Sequence, residues 1–422
     1  MHDKRDWNWE VGEKSIADLA ALGKQYSEVH ECAVSPDGEK FAVPVLDGEG
    51  TAKVWVNGQE WESDFERAWS LRFTSDGRLV ALVRADDMWA VAVDGESWEG
   101  EFDFAWNLKL GPDGKSIAVQ VKQGMDYTML LDGKPWESKF KSLRDFAFSN
   151  DGQRIAATVQ VEPLPEADIV KFMEGTWSLA VDGVPWEQKF INVYTPVFSP
   201  NDRNVAAQVR LDICEYTLAV DGKPWDQRFN CIWEPAYKPG GELIVPVRVE
   251  GGWTMAQDGR PVWDRRFVQL WQQSVSPDGK SVAAIAATGY GAWTVVKDGQ
   301  PWSESFSDML LPKPRFSPDG RRLAVVGKHD NRWGFCVDGK RWSSEFDMVW
   351  DPVFSPDGSM VVAKVERNGR FGLVLNDQLW NPRFDMLWDP VFSPDGTKLL
   401  VPGVIGGKYL RQVVPVETVS RG

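Results

Sequence analysis

The sequence predicts an all-β fold built from ten copies of one four-stranded unit. A turn motif related to Ser-Pro-Asp-Gly recurs ten times, and the last residues of successive copies lie 39, 37, 38, 50, 39, 38, 41, 38 and 38 positions apart. A second turn, usually Asp-Gly, follows in nine copies and precedes a Trp and then a Phe. Turns at fixed offsets within a period near forty residues are typical of a β-propeller.

Each copy contains four predicted strands joined by tight turns. In the copy 346–384, runs rich in β-branched and aromatic residues at 353–354, 360–365, 371–375 and 378–384 are separated by turn residues. Pro presets φ and Gly accepts positive φ, so both motifs favour tight turns, and Asp-Gly between strands favours a hairpin. The ten first turns lie at 35–38, 74–77, 111–114, 149–152, 199–202, 238–241, 276–279, 317–320, 355–358 and 393–396.

The tenth copy stops before its fourth strand, whereas the N-terminus carries a spare one. Asp6–Val11 resembles the Trp-bearing fourth strands, so we expect it to complete the last blade and remove an exposed edge. Lys14–Tyr26 fits one or two turns of an amphipathic helix. Uninterrupted spacing in mid-chain favours one ten-bladed ring over two five-bladed rings. The predicted domains are a closing strand and short helix at 1–28, a ten-repeat propeller at 29–416 and a C-terminal tail at 417–422.

Two columns of residues recur in nearly every copy, and we predict that they pack one blade against the next. A residue type present in every copy serves what every copy needs, and large aromatic rings bury the most area. The aromatic column is Trp61, Trp98, Trp136, Trp186, Trp225, Trp263, Trp302, Trp342 and Trp380, with a Phe four residues after each. The column of mostly small residues is Ala42, Ala81, Ala118, Ala156, Ala206, Val245, Ala283, Ala324, Val362 and Leu400.

A third column varies in identity among the copies. It lies five residues before each first turn, at the connection between blades, so packing does not dictate it everywhere. Packing at the rim and contact with a partner are both open for it. If aromatic side chains bind a partner, the candidates are Trp233, Trp271, Trp350 and Trp388. The whole column is His30, Trp69, Trp106, Arg144, Tyr194, Trp233, Trp271, Pro312, Trp350 and Trp388.

One large insertion interrupts the repeat, at Val161–Lys171 in the fourth copy. Its prolines and its acidic residues Glu162, Glu166 and Asp168 predict an exposed acidic loop. A loop added to a single blade is a strong candidate for a specific contact, so these three carboxylates are candidate partner-binding residues.

Composition narrows the classes of function. The net charge of −15 disfavours binding to nucleic acid and to anionic lipid. Met1 leads into no apolar run, so the sequence predicts neither a secretory signal nor a membrane span, and we expect a cytoplasmic protein. Cys32, Cys214, Cys231 and Cys336 lack metal-binding spacing and are predicted to be reduced core residues, although Cys214 and Cys231 share one repeat.

No catalytic motif is evident, so we expect no enzymatic activity and no cofactor. The three histidines are His2, His30 and His329, too few for a histidine-rich metal site, and no Gly-x-Ser-x-Gly elbow accompanies them. Gly403–Lys408 has the Gly-Lys pair of a phosphate loop, but strand-like residues follow it, so we interpret it as a hairpin turn. A carboxylate pair lining a central channel stays open.

The Ser-Pro-Asp-Gly strand pattern over about 29–416 resembles TolB-like and WD-repeat-like propellers, which implies a fold and not an activity. The Trp richness and the repeated Val-Asp-Gly-x-Pro-Trp-Glu-x-x-Phe resemble the TmcD family, the tryptophan-rich subunits of the Tmc transmembrane redox complex of sulfate-reducing bacteria. That resemblance implies a cofactor-free cytoplasmic subunit. Its partners would be an iron–sulfur protein, a membrane cytochrome b and a multihaem cytochrome c.

The sequence therefore leaves three hypotheses about the function of the protein. The first is a scaffold or docking subunit of a membrane-associated electron-transfer complex, held at the inner membrane by its partner subunits. The second is a free-standing enzyme or small-ligand binder that uses the central channel, and the third is an adaptor that binds peptides on one face.

Overall fold

The computed structural model describes residues 4–166, 168–308 and 313–420. Over these residues, forty-four strands form ten antiparallel sheets, accompanied by three short α-helices and one 3-10 turn at Lys4–Asp6. The arrangement confirms the predicted fold class, an all-β β-propeller of ten four-stranded blades with a short N-terminal helix.

Before the first blade lie β1 (Gly12–Asp18) and α1 (Leu19–Gln25). Blade one contains β2 (Glu28–Val29), β3 (Ala33–Val34), β4 (Phe41–Leu46), β5 (Ala52–Val56) and β6 (Gln59–Glu60). Blade two contains β7 (Arg67–Phe73), β8 (Leu79–Ala85), β9 (Met88–Val93) and β10 (Glu96–Ser97). Blade three contains β11 (Phe104–Leu110), β12 (Ile117–Gln123), β13 (Asp126–Leu131) and β14 (Lys134–Pro135).

Blade four contains β15 (Ser142–Phe148), β16 (Ile155–Gln160), β17 (Trp177–Val181) and β18 (Val184–Pro185), with α2 (Ile169–Glu174) between its second and third strands. Blade five contains β19 (Asn192–Phe198), β20 (Val205–Asp212), β21 (Glu215–Val220) and β22 (Lys223–Pro224). Blade six contains β23 (Cys231–Ile232), β24 (Ala236–Tyr237), β25 (Leu243–Val249), β26 (Gly252–Gln257) and β27 (Arg260–Pro261).

Blade seven contains β28 (Gln269–Val275), β29 (Val282–Gly289), β30 (Ala292–Lys297) and β31 (Gln300–Pro301). Blade eight contains β32 (Arg315–Phe316), β33 (Leu323–His329), β34 (Arg332–Val337) and β35 (Lys340–Arg341). Blade nine contains β36 (Met348–Val349), β37 (Val353–Phe354), β38 (Val361–Arg367), β39 (Arg370–Leu375) and β40 (Gln378–Phe384). Blade ten contains β41 (Met386–Leu387), β42 (Val391–Phe392), β43 (Lys398–Ile405) and β44 (Lys408–Pro415), and α3 (Val416–Ser420) follows it.

The ten blades fall into two compact units. One unit comprises 1–124, 129–135 and 346–422, and the other comprises 125–128 and 136–345. In each unit the hydrophobic core lies between neighbouring blades. Val54 of blade one packs with Leu79 of blade two in the first unit, and Leu179 of blade four packs with Val209 of blade five in the second. The ten residues of the small-residue column are fully buried, as their strand positions predict.

A buried hydroxyl organises the first turn of the blade. In blade nine, Ser355 Oγ donates to Asp357 Oδ1 at 2.6 Å and accepts from the Met360 N–H at 2.9 Å. The Gly358 N–H donates to the Ser355 carbonyl, and Gly358 has φ of 73°, which favours glycine. The same side-chain contact joins Ser35 to Asp37, Thr74 to Asp76, Ser149 to Asp151, Ser199 to Asn201, Ser276 to Asp278, Ser317 to Asp319 and Ser393 to Asp395.

The second turn is held by a side-chain acceptor at its first residue. Asp94 has φ of 50°, and its Oδ1 accepts the Leu79 N–H at 2.8 Å, which ties the turn to the start of the second strand. Nine blades repeat this contact, through Asn57, Asp94, Asp132, Asp182, Asp221, Asp258, Asp298, Asp338 and Asn376. The recurrent carboxylates therefore have a structural role at these turns.

The aromatic column packs on the second turn of the following blade, as predicted. A Cβ atom added to Gly183 of blade four would lie 3.2 Å from Cβ of Trp136, the Trp of blade three, so only glycine leaves room for the indole. The same contact pairs Gly95 with Trp61, Gly133 with Trp98, Gly222 with Trp186, Gly259 with Trp225, Gly299 with Trp263 and Gly339 with Trp302.

An N-terminal strand completes the tenth blade, but it is not Asp6–Val11. The closing strand is β1, which pairs with β44 from Gly12↔Val413 to Asp18↔Lys408. Ala17 of β1 is buried with Tyr409 in one hydrophobic cluster, whereas Trp7 and Trp9 stack on each other outside the sheet at 6.0 Å between ring centroids. The strand thus lies where Ile16 and Ala17 can pack in the cluster of Tyr409, and the helix is confined to α1.

Arg411 fastens this closure with a nearly buried charge. Its Nε donates to the Asp37 carbonyl at 2.8 Å, its Nη2 donates to the Asn8 carbonyl at 2.6 Å, and Glu39 Oε1 lies 3.0 Å from Nε. One side chain therefore joins β44, the first turn of blade one and the segment before β1.

Arg411→Ala is expected to destabilise the protein by about 3 kcal/mol, because two hydrogen bonds from its nearly buried guanidinium and its contact with Glu39 are lost. The control Lys14→Ala removes an exposed ion pair to the same Glu39 and should cost at most about 1 kcal/mol. Urea unfolding of both variants checks this. Equal losses would contradict the role assigned to Arg411.

The first-turn aspartates predict a stability that falls in acid. Hydrogen bonds from Ser355 and Ser359 lower the pKa of Asp357 to about 2, and those from Ser393 and Thr397 lower that of Asp395 to about 2. A carboxyl whose pKa is lower in the folded state stabilises the fold above its unfolded pKa of about 3.9, and this contribution is lost as the pH falls toward the folded pKa.

The double variant Asp357→Asn, Asp395→Asn should therefore show a shallower fall in melting temperature than the wild type between about pH 5 and about pH 2. Asn keeps the acceptor oxygen, as Asn201 does beneath Ser199 at 2.8 Å. Thermal unfolding followed across this range makes the comparison, and parallel curves would show that these carboxyls do not set the acid limb.

Candidate functional site

In the nine blades where the column residue is described, the variable column lies at a bulge or a break in the first strand. In blades two and seven the register shifts directly after Trp69 and Trp271, and the next residues, Ser70 and Gln272, have φ of 55° and 51°. In blades one, six, nine and ten the strand breaks into two short segments at this point. A bulge re-aims side chains away from the regular pleat, which explains why the column does not repeat one residue type.

The structure brings together two of the four candidate tryptophans. The Trp233 and Trp271 rings are 6.2 Å apart and nearly perpendicular, at 74°. Trp233 stacks on Trp253 of its own blade at 5.5 Å, and Trp271 stacks on Trp293 of its own blade at 5.1 Å. We call Trp233 and Trp271 the indole corner.

The indole corner forms one wall of a cavity of about 500 Å³ in the second unit. First strands or bulges of blades four, five, six and seven contribute to the lining, so four separate stretches of sequence converge there. The other lining residues are Asp145, Tyr194, Thr195, Gln208, Tyr216, Cys231, Ile232, Glu234 and Gln272.

Polar groups of the cavity fall into two kinds. Thr195 Oγ1 and Gln272 Oε1 are buried, and among the described residues neither oxygen has a hydrogen-bond partner. Glu234 by contrast pairs with Lys313, and its carbonyl accepts from Gln273 Nε2 at 2.6 Å. A buried oxygen without a partner is costly, so the first pair marks where a donor from outside would be stabilised.

Burial shapes the ionisation of the cavity. It raises the pKa of the Tyr194 phenol and of the Cys231 thiol, which keeps both side chains neutral near pH 7. Arg210 lies over the Tyr216 ring at 5.7 Å, so that side of the cavity already has a cation. The site therefore combines neutral aromatic walls with two unpartnered oxygen acceptors, Thr195 Oγ1 of blade five and Gln272 Oε1 of blade seven.

The other two candidate tryptophans lie in the first unit and do not line this cavity. Lys364 Nζ is 4.3 Å from the Trp350 ring centroid, and burial lowers the pKa of that lysine. Trp388 packs edge-on against Phe41 and Tyr409 in the hydrophobic cluster beneath β1. Pro312 of the same column, like His2, lies outside the described residues.

The insertion is anchored and partly helical, and its three acidic residues have different surroundings. Glu162 pairs with Lys171 and with Lys189, whose Nζ is 2.7 Å from Glu162 Oε1, and these hydrogen bonds lower the pKa of Glu162 to about 2. Asp168 caps α2 by accepting the Lys171 N–H at 2.9 Å. Glu166 is exposed. Two of the three predicted contact residues thus hold the insertion in place.

The insertion also exposes apolar side chains, which the prediction of an acidic loop overlooked. Ile169 and Val170 are 63% and 66% exposed, and Leu164 and Met173 also face solvent. We call Leu164, Ile169, Val170 and Met173 the insertion face. The sequence contains a signal for this apolar surface, because these residues lie in the same segment as the acidic ones.

A second cavity, of about 770 Å³, lies between blades one and two and is lined by Glu28, His30, Cys32, Arg67 and Arg72 among others. Burial raises the pKa of the Cys32 thiol to about 12, so at neutral pH it is the unreactive thiol form. The His30 imidazole Nε2 lies 3.7 Å from Glu28 Oε2, and the Cys32 thiol donates to the His30 carbonyl at 3.7 Å. This geometry does not assemble a cysteine–histidine nucleophile.

Within the described ranges, no three His, Cys, Asp or Glu side chains are grouped so that they hold a metal ion. All four cysteines are free thiols. No helix of the described chain is both long and apolar enough to cross a membrane.

Comparison with known proteins yields no family. No protein-family model matches the chain. No curated protein matches it.

Similar solved structures exist, and three of them each share 14% sequence identity with this chain. One is a eukaryotic initiation factor, with a TM-score of 0.47 over 81% of this chain and 92% of that one. The Dos1 propeller has a TM-score of 0.36 over 96% and 94%, and TolB from Acinetobacter baumannii has 0.30 over 74% and 77%. Such scores carry no argument about function, and the assignment of the β-propeller rests on the ten sheets themselves.

The pairing of Glu162 predicts how the insertion responds to substitution. Glu162→Gln removes the charge that holds Lys171 and Lys189, so the insertion should become more sensitive to limited proteolysis, with cleavage several-fold faster at Lys171. Glu166→Gln, an exposed position in the same segment, is the control and should cleave like the wild type. Identical cleavage rates for all three proteins would show that Glu162 does not anchor the segment.

Proposed function

We propose that this chain is a cofactor-free protein-interaction scaffold, the docking subunit of a membrane-associated electron-transfer complex. The observation that carries the proposal is the insertion face, an anchored apolar surface present in one blade out of ten. An exposed group of large apolar side chains on an otherwise charged surface is typical of a protein-binding site.

The repeated residues support the same conclusion, because they already have structural roles. The aromatic column packs on the next blade, and the recurrent Asp and Ser residues form turns. A specific partner must distinguish one blade from another, and only features that break the repeat allow that. The insertion face and the indole corner are two such features, and both lie in the second unit.

The partner class comes from the resemblance to the TmcD family. It consists of an iron–sulfur protein, a membrane cytochrome b and a multihaem cytochrome c, with this chain peripheral to the inner membrane on the cytoplasmic side. The charge of −15 favours a basic partner surface, since complementary charge speeds encounter and suppresses wrong partners. In this role the chain catalyses no reaction and holds its partner subunits in position.

Replacing Ile169 and Val170 together by Asp should reduce recovery of partner proteins by about tenfold or more, because two charges are placed in an apolar interface. Val262→Asp, another exposed valine of the second unit, is the control. The tagged proteins are purified from the native host in mild detergent, and their partners are measured by mass spectrometry and a haem spectrum.

The proposal is supported if membrane cytochromes and iron–sulfur proteins are recovered with the wild type and are lost only with the double variant. Recovery of a colourless monomer from the wild type overturns it. Full recovery with the double variant would remove the insertion face from the interface.

A second candidate function is a free-standing propeller that binds a small ligand or a peptide. The cavity beside the indole corner favours it, because buried oxygens there lack partners among the described residues. A clean monomer in the purification above would direct attention to that cavity.

A further inference from the structure

We propose that the cavity beside the indole corner binds an alkylammonium group, such as the side chain of a lysine. The proposal deepens the proposed function, since a lysine presented by a partner protein would supply the group. A free small amine has the same chemistry, and the experiment below distinguishes the two sources.

The geometry of the two indoles favours a compact cation. Trp253 covers one face of Trp233 and Trp293 covers one face of Trp271, so the opposite faces remain for the cavity that both corner residues line. A cation over an indole face is attracted by the ring quadrupole, and the attraction grows as water is excluded. Two faces at 74° enclose a small round group well, whereas a flat sugar or base lies on only one of them.

The unpartnered oxygens favour a ligand that donates. Thr195 Oγ1 and Gln272 Oε1 are buried at the bulges of blades five and seven, and both residues line the cavity. An ammonium group offers three N–H donors and no acceptor, which matches oxygens that lack donors among the described residues. Both bulge residues have positive φ, 44° and 51°, so the backbone is held in an unusual conformation at each oxygen-bearing position.

The charges around the cavity are consistent with a cation on its indole side. Asp145 is exposed at the rim, whereas Glu234 is already paired with Lys313. Of the nearby arginines, Arg144 lies 3.9 Å above the Trp177 ring and Arg210 lies over Tyr216, so both are on the blade-four and blade-five side. The ammonium group therefore belongs beside Trp233, Trp271 and the acceptor oxygens, where the carboxylate of Asp145 at the rim attracts its charge, and its alkyl chain points to solvent.

Titration calorimetry with the full chain tests this directly. The probes are a blocked lysine (N-acetyl-lysine methylamide), butylammonium, and the blocked norleucine that matches lysine in shape without its charge. We expect both cations to bind at millimolar concentration and norleucine to bind at least about tenfold more weakly. Added salt should weaken the binding, because one partner of the attraction is the exposed Asp145.

Two variants and a control locate the site. Trp271→Ala should weaken lysine binding by about tenfold, and Asp145→Asn, at an exposed position that leaves the core intact, by about threefold. Trp350→Ala changes the same column in the first unit and should leave binding unchanged. Asp145→Asn keeps the test valid if Trp271→Ala fails to fold.

Every outcome of these titrations either supports or overturns the proposed site. Preference for the cations over norleucine, together with loss in both variants, supports the site. Equal binding of lysine and norleucine, no binding of either cation at about 10 mM, or binding of glucose in place of the cations overturns it. Tighter binding of the blocked lysine than of butylammonium assigns the site to a peptide, and the reverse order assigns it to a free amine.

The test is independent of docking. Partner proteins recovered from the host without any amine binding by the isolated chain would refute the cavity inference alone. Amine binding by a chain that recovers no partner would refute the docking function alone.

Discussion

The contact between a Trp of one blade and the second turn of the next is the interaction on which the rest of the structure depends. A four-stranded blade has two faces and cannot bury both alone, so it is stable only against its neighbours. The indole needs a turn with no side chain beneath it, and the left-handed Gly of the second turn provides that space, as at Gly183 over Trp136. The Asp or Asn before that Gly fixes the turn by accepting an N–H from the second strand, as Asp182 does from Ile155 at 3.0 Å. Turn chemistry and packing between blades are thus one requirement.

This requirement accounts for most of the side chains that look functional. Twenty-three tryptophans and many aspartates suggest binding and catalysis. The repeated tryptophans, however, pack on turns, and the repeated aspartates accept backbone hydrogen bonds within turns. Chemistry specific to this chain is left to positions where the repeat is broken. One such position is the bulge of the first strand, where the residue type varies among the copies because its side chains leave the regular pleat, and the other is the insertion that contains α2.

Sequence reasoning reached the fold because local rules and the global period agree. Turn residues at constant offsets leave one architecture, and packing of the aromatic column between blades was expected from repetition alone, although its contact with the Gly of the second turn was not. It misplaced the closing strand by six residues, since Trp7 and Trp9 resemble a fourth strand while Ala17 and its neighbours supply the packing against Tyr409. It could not find the cavity, because Asp145, Thr195, Trp233 and Gln272 lie in four different repeats and meet only when the blades are assembled. It did select Trp233 and Trp271, from their variation among copies.

The pairing of β1 with β44 also sets an order of events during synthesis. Asp18 and Lys408, opposite each other in this pair, are 408 − 18 = 390 positions apart in the chain. At the usual pace of a ribosome, about 5–20 residues per second, the first strand waits roughly 20–80 s for its partner to be made. Blades one to nine can form from neighbouring segments in that time, but the tenth is completed only when β44 emerges. The newborn chain therefore carries β1 without its sheet partner until β44 has been made, and this is the interval in which a chaperone or a second nascent chain has access to it.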